Sequence, residues 1–497
     1  MRRFVRALAT GAALAGLALP MFARAEEKDP PKDPQQELQK KVDALAKELA
    51  QLKQQTKRIE DKSLGRWLSV GGDYRFRFDS LYGSVANYYQ FTGTAAAPAV
   101  AGYDTKNGSL MTNRFGLNLK AKATQDVTIT SRLLMYKTFG MQTADATNAG
   151  FFADRSSVMD GTIGHIPLDS TLRVDQVFAT WSNIGGQPVW FSVGRRPSTG
   201  GAPTQVRQNG ERPTSAGVPG LLVDYAFDGM TLGYAPEVEA LPGAFAKICY
   251  GRGFEAGYNS RNSLSDTDML GVQLVPVDTD PLRIDVQWNR GFNIFDNPNS
   301  PGNQLGDIDW YGVDLLSTLK RVGPGNLTLF ASGGLSVTHP NGKGAMFNGA
   351  ELPAGLLWSA SDPGGAEGHT GWSVYVGARY DLPFGTKVGA EYNHGSKYWM
   401  PFDPAADDMW TSKLGTRGNT YEAYVIQELP LQAISSHLSK VFFRIGYQYY
   451  DFQYTGSNSW IGSPVKISEL MATPYNAQML PPVRSAHDVY GTFEVHL

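Results

Sequence analysis

Four arginines, Arg195, Arg196, Arg207 and Arg212, fall within one short stretch of the chain. Guanidinium groups stay charged at all physiological pH values and hold carboxylates or phosphates bidentately. Earlier in the chain, Arg75, Arg77, Arg114 and Arg132 recur with Lys120 and Lys122 at alternating positions. Such residues can line one basic wall, and charge facing a water-filled passage selects ions of the opposite sign. The other reading is that they pair with Asp73, Asp79, Asp175 and Glu211. Catalytic chemistry is not indicated. The histidines at 165, 339, 369, 394, 437, 487 and 496 show no metal-ligand spacing. Cys249 stands alone, which rules out a Cys-x-x-Cys-His haem site and reads as an inert small side chain. There is no Gly-x-Ser-x-Gly elbow and no phosphate loop. Asp407-Asp408 is a loop pair, and such pairs bind calcium only occasionally. No enzyme, metal or cofactor is expected.

The element that positions the first arginines is Trp67 to Asp79. Leu68, Val70, Gly72, Tyr74, Phe76 and Phe78 alternate with Ser69, Gly71, Asp73, Arg75, Arg77 and Asp79. A strand sends alternate side chains to opposite faces, so one face is apolar and one charged. Its length suits a tilted strand crossing a bilayer, for which about 10 residues suffice, better than a soluble strand of about 5 or 6. The pattern recurs. Asn113, Phe115, Leu117, Leu119 and Ala121 alternate with Arg114, Gly116, Asn118, Lys120 and Lys122. Further strands are expected over Val127–Thr138, Leu172–Trp181 and Val189–Arg196, then through 282–289, 326–337, 372–381 and 441–450. Leu221–Phe227 and Met230–Ala235 flank Asp228-Gly229 and read as a hairpin. Val489, Gly491, Phe493, Val495 and Leu497 alternate with Asp488, Tyr490, Thr492, Glu494 and His496, so a strand is expected at the end of the chain, placed to close against the first.

The connections sort by length. Long ones are expected at 80–110, 139–170, 197–219, 292–306, 339–370, 397–417 and 455–485, and short ones at 124–126, 182–188, 228–229, 278–281, 320–325 and 382–386. A soluble sandwich has no reason to sort its connections this way. An outer-membrane barrel does, with short periplasmic turns and long outer loops. The alternation fails between Met230 and Leu274, where Ala244–Tyr258 reads either as loop or as an extra hairpin. Trp67, Tyr82, Trp181, Trp190, Trp310 and Trp399 lie near strand ends, where an interfacial aromatic girdle belongs. The expected fold is all-β: a transmembrane antiparallel up-and-down barrel of about 16 strands, within a range of 14–18.

The N-terminus carries separate signals. Arg2, Arg3 and Arg6, the apolar run Ala7–Leu19 and Ala23-Arg24-Ala25 read as a secretory signal over residues 1–25. Its removal would take 45 basic residues to 41 against 47 acidic ones, a net of −6, which does not suit nucleic-acid binding. Residues 26–34 read as a linker. Leu38, Val42, Leu45, Leu49, Leu52, Thr56 and Ile59 then keep a 4-3-4-3 spacing, so a short coiled-coil helix is expected over 35–63, ahead of the barrel at 66–497. It would lie in the periplasm, and a trimer would suit a barrel that trimerises.

Signal, heptad helix, GGDYRFRFD, MTNRFGLNLKA and FSVGRRPSTGGAP together resemble a family of bacterial outer-membrane porins catalogued only as a domain of unknown function. The chain's last strand also resembles the C-terminal signal of outer-membrane proteins, with Leu497 where Phe is usual. The resemblance implies a passive, water-filled channel in the outer membrane for small polar solutes or ions. The alternatives are a barrel that sheathes a partner such as an electron-transfer cytochrome, an adhesin, or an outer-membrane enzyme. In the channel reading, Arg75, Arg77, Arg114, Arg132, Arg195, Arg196, Arg207 and Arg212 line the lumen, and the loop from Pro197 to Pro219 folds inward and sets the constriction.

Overall fold

The structure, a computed structural model, describes residues 67–92, 97–140, 167–198, 200–214, 222–224, 226–296, 302–402, 408–431 and 440–497. The signal, linker and heptad segment lie outside the described residues. The body from Trp67 to Leu497 is one compact unit. Its wall has sixteen strands: β1 Leu68–Val85, β2 Tyr103–Lys122, β3 Val127–Thr138, β4 Arg173–Trp181, β5 Val189–Pro197, β6 Ala226–Tyr234, β7 Phe245–Phe254 and β8 Thr267–Asp278. They continue as β9 Arg283–Phe295, β10 Gln304–Val322, β11 Gly325–Pro340, β12 Thr370–Asp381, β13 Thr386–Gly395, β14 Gly418–Glu428, β15 Lys440–Phe452 and β16 Val483–His496. Each strand pairs antiparallel with its chain neighbours, and β1 closes on β16 from Asp73↔His496 to Val85↔Val483. The barrel has no open edge.

The polarity of the wall is inverted relative to a soluble protein. On β1, Arg75 and Arg77 are 2% exposed and Asp79 is fully buried, while Tyr74 on the other face is 37% exposed. On β16, Asp488, Tyr490, Thr492 and Glu494 are buried and Val489 is exposed. The outer surface carries Met230, Leu232, Ile248, Leu274, Val313, Val376, Val425 and Ile445, all exposed. Apolar side chains outside and ion pairs inside are stable only where the outside is hydrocarbon. Tyr82, Tyr103, Trp372 and Tyr421 are exposed near the long-loop ends of their strands, and Trp67, Trp181, Tyr234 and Phe443 near the short-turn ends. These two rings of aromatics, mostly the amphipathic Trp and Tyr, sit where the interfaces would be.

Several expectations change. Asp228-Gly229 is not a turn; it lies inside β6, paired with Arg195 and Gly194 on β5. Gly229 serves close approach instead: a Cβ there would meet the Tyr250 carbonyl oxygen at 2.0 Å. Leu222 and Val223 leave the wall and pack inside, with Val223 bridging to Phe402. Ala244–Tyr258 contains one strand, β7, which restores the alternation and settles the count at sixteen. The first long connection is shorter than expected, because β1 runs on to Val85 and β2 begins at Tyr103. Of the expected girdle, Trp310 and Trp399 are fully buried in the lumen, where their indole N–H groups donate to the carbonyls of Met400 at 2.6 Å and Leu414 at 2.7 Å. Trp190 also turns inward and covers Gly233.

The outward face makes a direct prediction. Ile445 is 66% exposed on β15. Ile445→Arg should destabilise the barrel in lipid by about 2–4 kcal/mol, the depth-dependent cost of a lipid-facing arginine, while Ile445→Leu should cost little. Denaturant titration in phospholipid vesicles reads both, and equal stability of the two variants would contradict the lipid-facing assignment.

Candidate functional site

Sixteen strands enclose a space too wide for wall side chains to fill alone. The connections fill part of it. Between β5 and β6, residues 200–214 form a compact loop built of tight turns. Thr204 N–H donates to the Gly201 carbonyl, Val206 to Pro203 and Gly210 to Gln205, at 2.8–3.0 Å. Thr214 closes the loop by donating its N–H and Oγ1 to the Gly200 carbonyl. Gly200 has φ of +70°, which glycine adopts freely.

The loop is tied to the inner wall across the lumen. Arg379 on β12 donates to the Val206 carbonyl at 2.6 Å, and Arg444 on β15 to the Arg207 carbonyl at 2.7 Å. The Arg207 guanidinium lies 2.7 Å from Asp408 and 3.2 Å from Glu422. Asn209 donates to Glu428 and accepts from Lys387 at 2.6 Å. At the short-turn rim, Glu211 pairs with Lys440 at 2.9 Å, and Arg212 with Asp278 at 2.5 Å and Asp280 at 3.5 Å.

A second inserted segment comes from the connection between β13 and β14. Its Lys413, 4% exposed, bridges Glu391 on β13 and Glu422 on β14, the latter at 2.5 Å. Tyr375 and Tyr424 donate to Glu391, Tyr490 donates to Glu422 at 2.6 Å, and Gln448 donates to Asp408 at 2.9 Å. The result is a buried cluster of Arg207, Lys413, Asp408, Glu391 and Glu422 that, with its tyrosine and glutamine partners, fastens two loops to five strands, β12 to β16. Toward the long-loop end the filling is aromatic. Trp310, Trp399, Phe402 and Trp460 pack with Leu222 and Leu414. Arg417 donates to the carbonyls of Trp399, Thr455 and Ser459, joining two connections.

The arginines named from sequence are distributed as follows. Arg77 pairs with Asp79 at 2.6 Å and Asp488 at 3.0 Å, and Arg75 lies 5.4 Å over the Tyr136 ring. Arg132 lies 2.7 Å from Asp73 and 3.7 Å from Asp175, and Arg114 lies 3.9 Å from Asp73. Arg196 faces the lumen against Thr231 and 5.6 Å over Phe178. Arg195 does not face it. Arg195 shares the outward parity of Val193 and lies 3.8 Å from the exposed Asp228. Arg207 faces Asp408 of the second inserted segment and Glu422 of the wall rather than open space. Pairing with Asp73, Asp79 and Asp175 is therefore what the wall shows, whereas Glu211 pairs with a lysine.

Sequence reasoning missed Lys413, Glu391, Glu422 and Lys247, and it read Asp408 only as half of a loop pair. The alternation that placed Arg75 inward also places Glu391, Glu422 and Lys247 inward, so these three were readable. Lys413 and Asp408 sit in a connection, where no periodicity applies. Among the described residues no group of acids, histidines and cysteine is disposed to hold a metal ion.

The family model described as "Protein of unknown function (DUF3373)" matches residues 104–497. The chain belongs to the DUF3373 family. No curated protein matches it. Among solved structures, OmpT of Vibrio cholerae, an outer membrane protein, is 11% identical with a TM-score of 0.40, over 86% of this chain and 99% of that one. OprB of Pseudomonas putida is 12% identical with a TM-score of 0.41, over 87% and 95%. The outer membrane channel DcaP of Acinetobacter baumannii is 10% identical with a TM-score of 0.38, over 86% and 96%. At such identities and scores the likeness assigns neither solute nor activity.

Removing one partner from a buried ion pair leaves the other uncompensated, at a cost of about 3–5 kcal/mol. Lys413→Met and Arg207→Met in this DUF3373 protein should each detach the inserted loops before the barrel unfolds. Limited proteolysis would then cut within 200–214 while heat-modifiable gel migration stays intact. Protection equal to wild type would contradict the cluster's role. The rim ties depend on pH in a known direction. Hydrogen bonding to Lys440 holds the Glu211 carboxyl below its ordinary range, and Lys320 does the same for Asp280. A depressed carboxyl stabilises the folded arrangement above its unfolded value of about 4 and loses that contribution as pH falls through the folded one. Protease access to 200–214 should thus be unchanged from neutral pH down to about 5 and rise only below about 4.

Proposed function

We propose that the protein is an outer-membrane channel for passive movement of small polar solutes or ions, narrowed from within by the loop at 200–214. The observation that carries this reading is the closed wall with an apolar exterior and an ion-paired interior, crossed by a loop that is fastened to the opposite side. Arg75, Arg77, Arg114, Arg132, Arg196, Arg207 and Arg212 set the local field in this reading, each moderated by its acids or aromatic partner. Arg195 is left out because it faces outward. The sheath alternative needs a wide lumen poor in side chains. The lumen here holds inserted loops and an aromatic cluster, which favours the channel.

Liposome swelling with neutral sugars of graded size tests the reading. Small sugars should enter, and a cutoff should appear that rises when residues 201–213 are replaced by a short Gly-Ser link. No swelling with any sugar, in vesicles whose barrels are heat-modifiable, would overturn it. Fractionation bears on location: the protein should stay with the outer membrane until detergent is added, and recovery in the periplasmic wash would be contrary.

Residues 1–25 act as the export signal in this reading, and residues 35–63, in the periplasm, hold barrels together as a trimer or hold the barrel to a periplasmic partner. Leu38, Val42, Leu45, Leu49, Leu52 and Ile59 supply the seam. Leu45→Asp with Leu52→Asp should lower the mass seen by light scattering in detergent to that of one barrel while leaving the barrel folded. An unchanged mass would remove the coiled coil from the account.

A further inference from the structure

Exposure is uneven around the inner wall. On β12–β16 the inward side chains behind the inserted loops are buried: Arg379, Glu391, Glu422, Arg444 and Glu494 are 3–6% exposed. On β2–β5 the inward side chains stay partly open. Asn118, Lys120 and Lys122 on β2 are exposed. Arg132 on β3, Gln176 and Phe178 on β4, and Arg196 on β5 are half-buried. Among the described residues, the open space in the barrel therefore lies to one side, against β2–β5.

Register lines these groups up. Asn118 is paired with Arg132, and Arg132 with Gln176. Arg196 sits one residue beyond the Val177↔Arg195 pair, which carries the same row onto β5. One row nearer the short turns, Lys120 is paired with Thr130 and Thr130 with Phe178, and Lys122 follows opposite Thr128. Arg132 is held flat against the wall. Its guanidinium donates to Asn118 at 2.7 Å and lies 2.7 Å from Asp73, and a Cβ on Gly116 would meet it at 2.5 Å. The charge along this lane has one sign. Among the described residues of β2–β5, the charged side chains turned inward and not buried are all basic, and Lys120, Lys122, Arg132 and Arg196 line the lane. Asp73 on β1 and the buried Asp175 answer Arg132. Arg196 lies against Thr231 and the Phe178 ring rather than an acid. Lys120, Lys122 and Arg196 remain as a positive excess.

We infer that solutes travel along β2–β5 and that the solutes this lane passes best are small anions. The inference deepens the channel reading by naming a solute class and its path, and it rests on that reading. The two halves of the wall divide the work. The acids of β12–β16 are spent on fastening the inserted loops, so they are withdrawn from the water, while the cations of β2–β5 stay in contact with it. An anion entering at the short-turn mouth meets Lys120 and Lys122 first, then the row of Arg132, Gln176 and Arg196. Fixed charge beside a water-filled path attracts ions of opposite sign and repels the others. It acts here well within the screening length of about 8–10 Å.

Planar-bilayer recording of the full-length protein in a KCl gradient tests the inference. The wild-type reversal potential should show chloride permeating more readily than potassium. Arg196→Gln, and separately Lys120→Gln with Lys122→Gln, should each lower the chloride-to-potassium permeability ratio by about twofold or more, as expected when a charge close to the path is removed. Lys106→Gln takes a cation from the exposed outward side of the same strand, β2, where Lys106 pairs with Tyr82, and should leave the ratio unchanged. Heat-modifiable migration shows that each variant folds, and the exposed lysine pair is the substitution least able to disturb the wall. The inference is overturned by a wild-type protein without chloride preference, by a ratio unchanged in a folded lane variant, or by an equal fall in Lys106→Gln. Steps without chloride preference remove the lane and leave the channel. Folded protein that gives no steps removes the channel and the lane with it.

Discussion

A backbone crossing hydrocarbon must satisfy every N–H and C=O within the protein. Pairing β1 with β16 meets that demand, and much else follows from it. Closure fixes an even wall and forces half of each strand's side chains outward into lipid and half inward. Outward positions must be apolar. Inward positions can carry charge, but sixteen strands leave more interior than their side chains can fill. Loops then enter, and they displace the water that would have solvated the inward charges. Arg77, Arg207, Lys413 and Arg444 accordingly have carboxylates at close range: Asp488, Asp408, Glu422 and Glu494. The inserted loops and the paired interior are two consequences of one geometry.

Glycine makes the insertion sterically feasible. Gly312 on β10 sits beneath Leu222, and a Cβ there would come within 2.6 Å of the leucine side chain. Glycines on β5–β8 serve close approach of the wall itself: a Cβ on Gly194 would meet the Val177 carbonyl oxygen at 2.4 Å, and one on Gly251 the Phe227 side chain at 2.6 Å. Where the wall recedes and a loop occupies the recess, the contact is packing.

Much of the wall was legible because a strand's period is two and its faces differ in polarity. Arg75, Arg77 and Asp79 could be placed inward, and Phe76 and Phe78 outward, from alternation alone. The last strand could be placed the same way. Asp228-Gly229 misled because the dipeptide permits a tight turn without requiring one, and here Gly229 answers a close strand approach instead. Trp310 and Trp399 misled because an aromatic near a strand end suits either an interface or a lumen. Parity assigns Trp310 to the side of Gly312 and Asp314, whereas Trp399 lies in a connection. The cluster around Lys413 and Arg207 was not legible, because its members come from two connections and two strands far apart in the chain. Nothing local specifies that Arg207 meets Asp408. The third dimension does, through a loop whose own turns are short-range but whose anchors are not.

The central claim is that a water-filled path persists through this partly filled barrel and that the loop at 200–214 governs it. Single-channel recording in a planar bilayer, comparing wild type with Arg207→Gln, tests it most directly. The account predicts discrete ohmic steps for wild type, larger steps for the variant, and a reversal potential moved toward cations, because Asp408 and Glu422 lose a positive neighbour acting well within the screening length of about 8–10 Å. Folded protein that gives no steps, or a variant whose conductance and reversal potential match wild type, would contradict it.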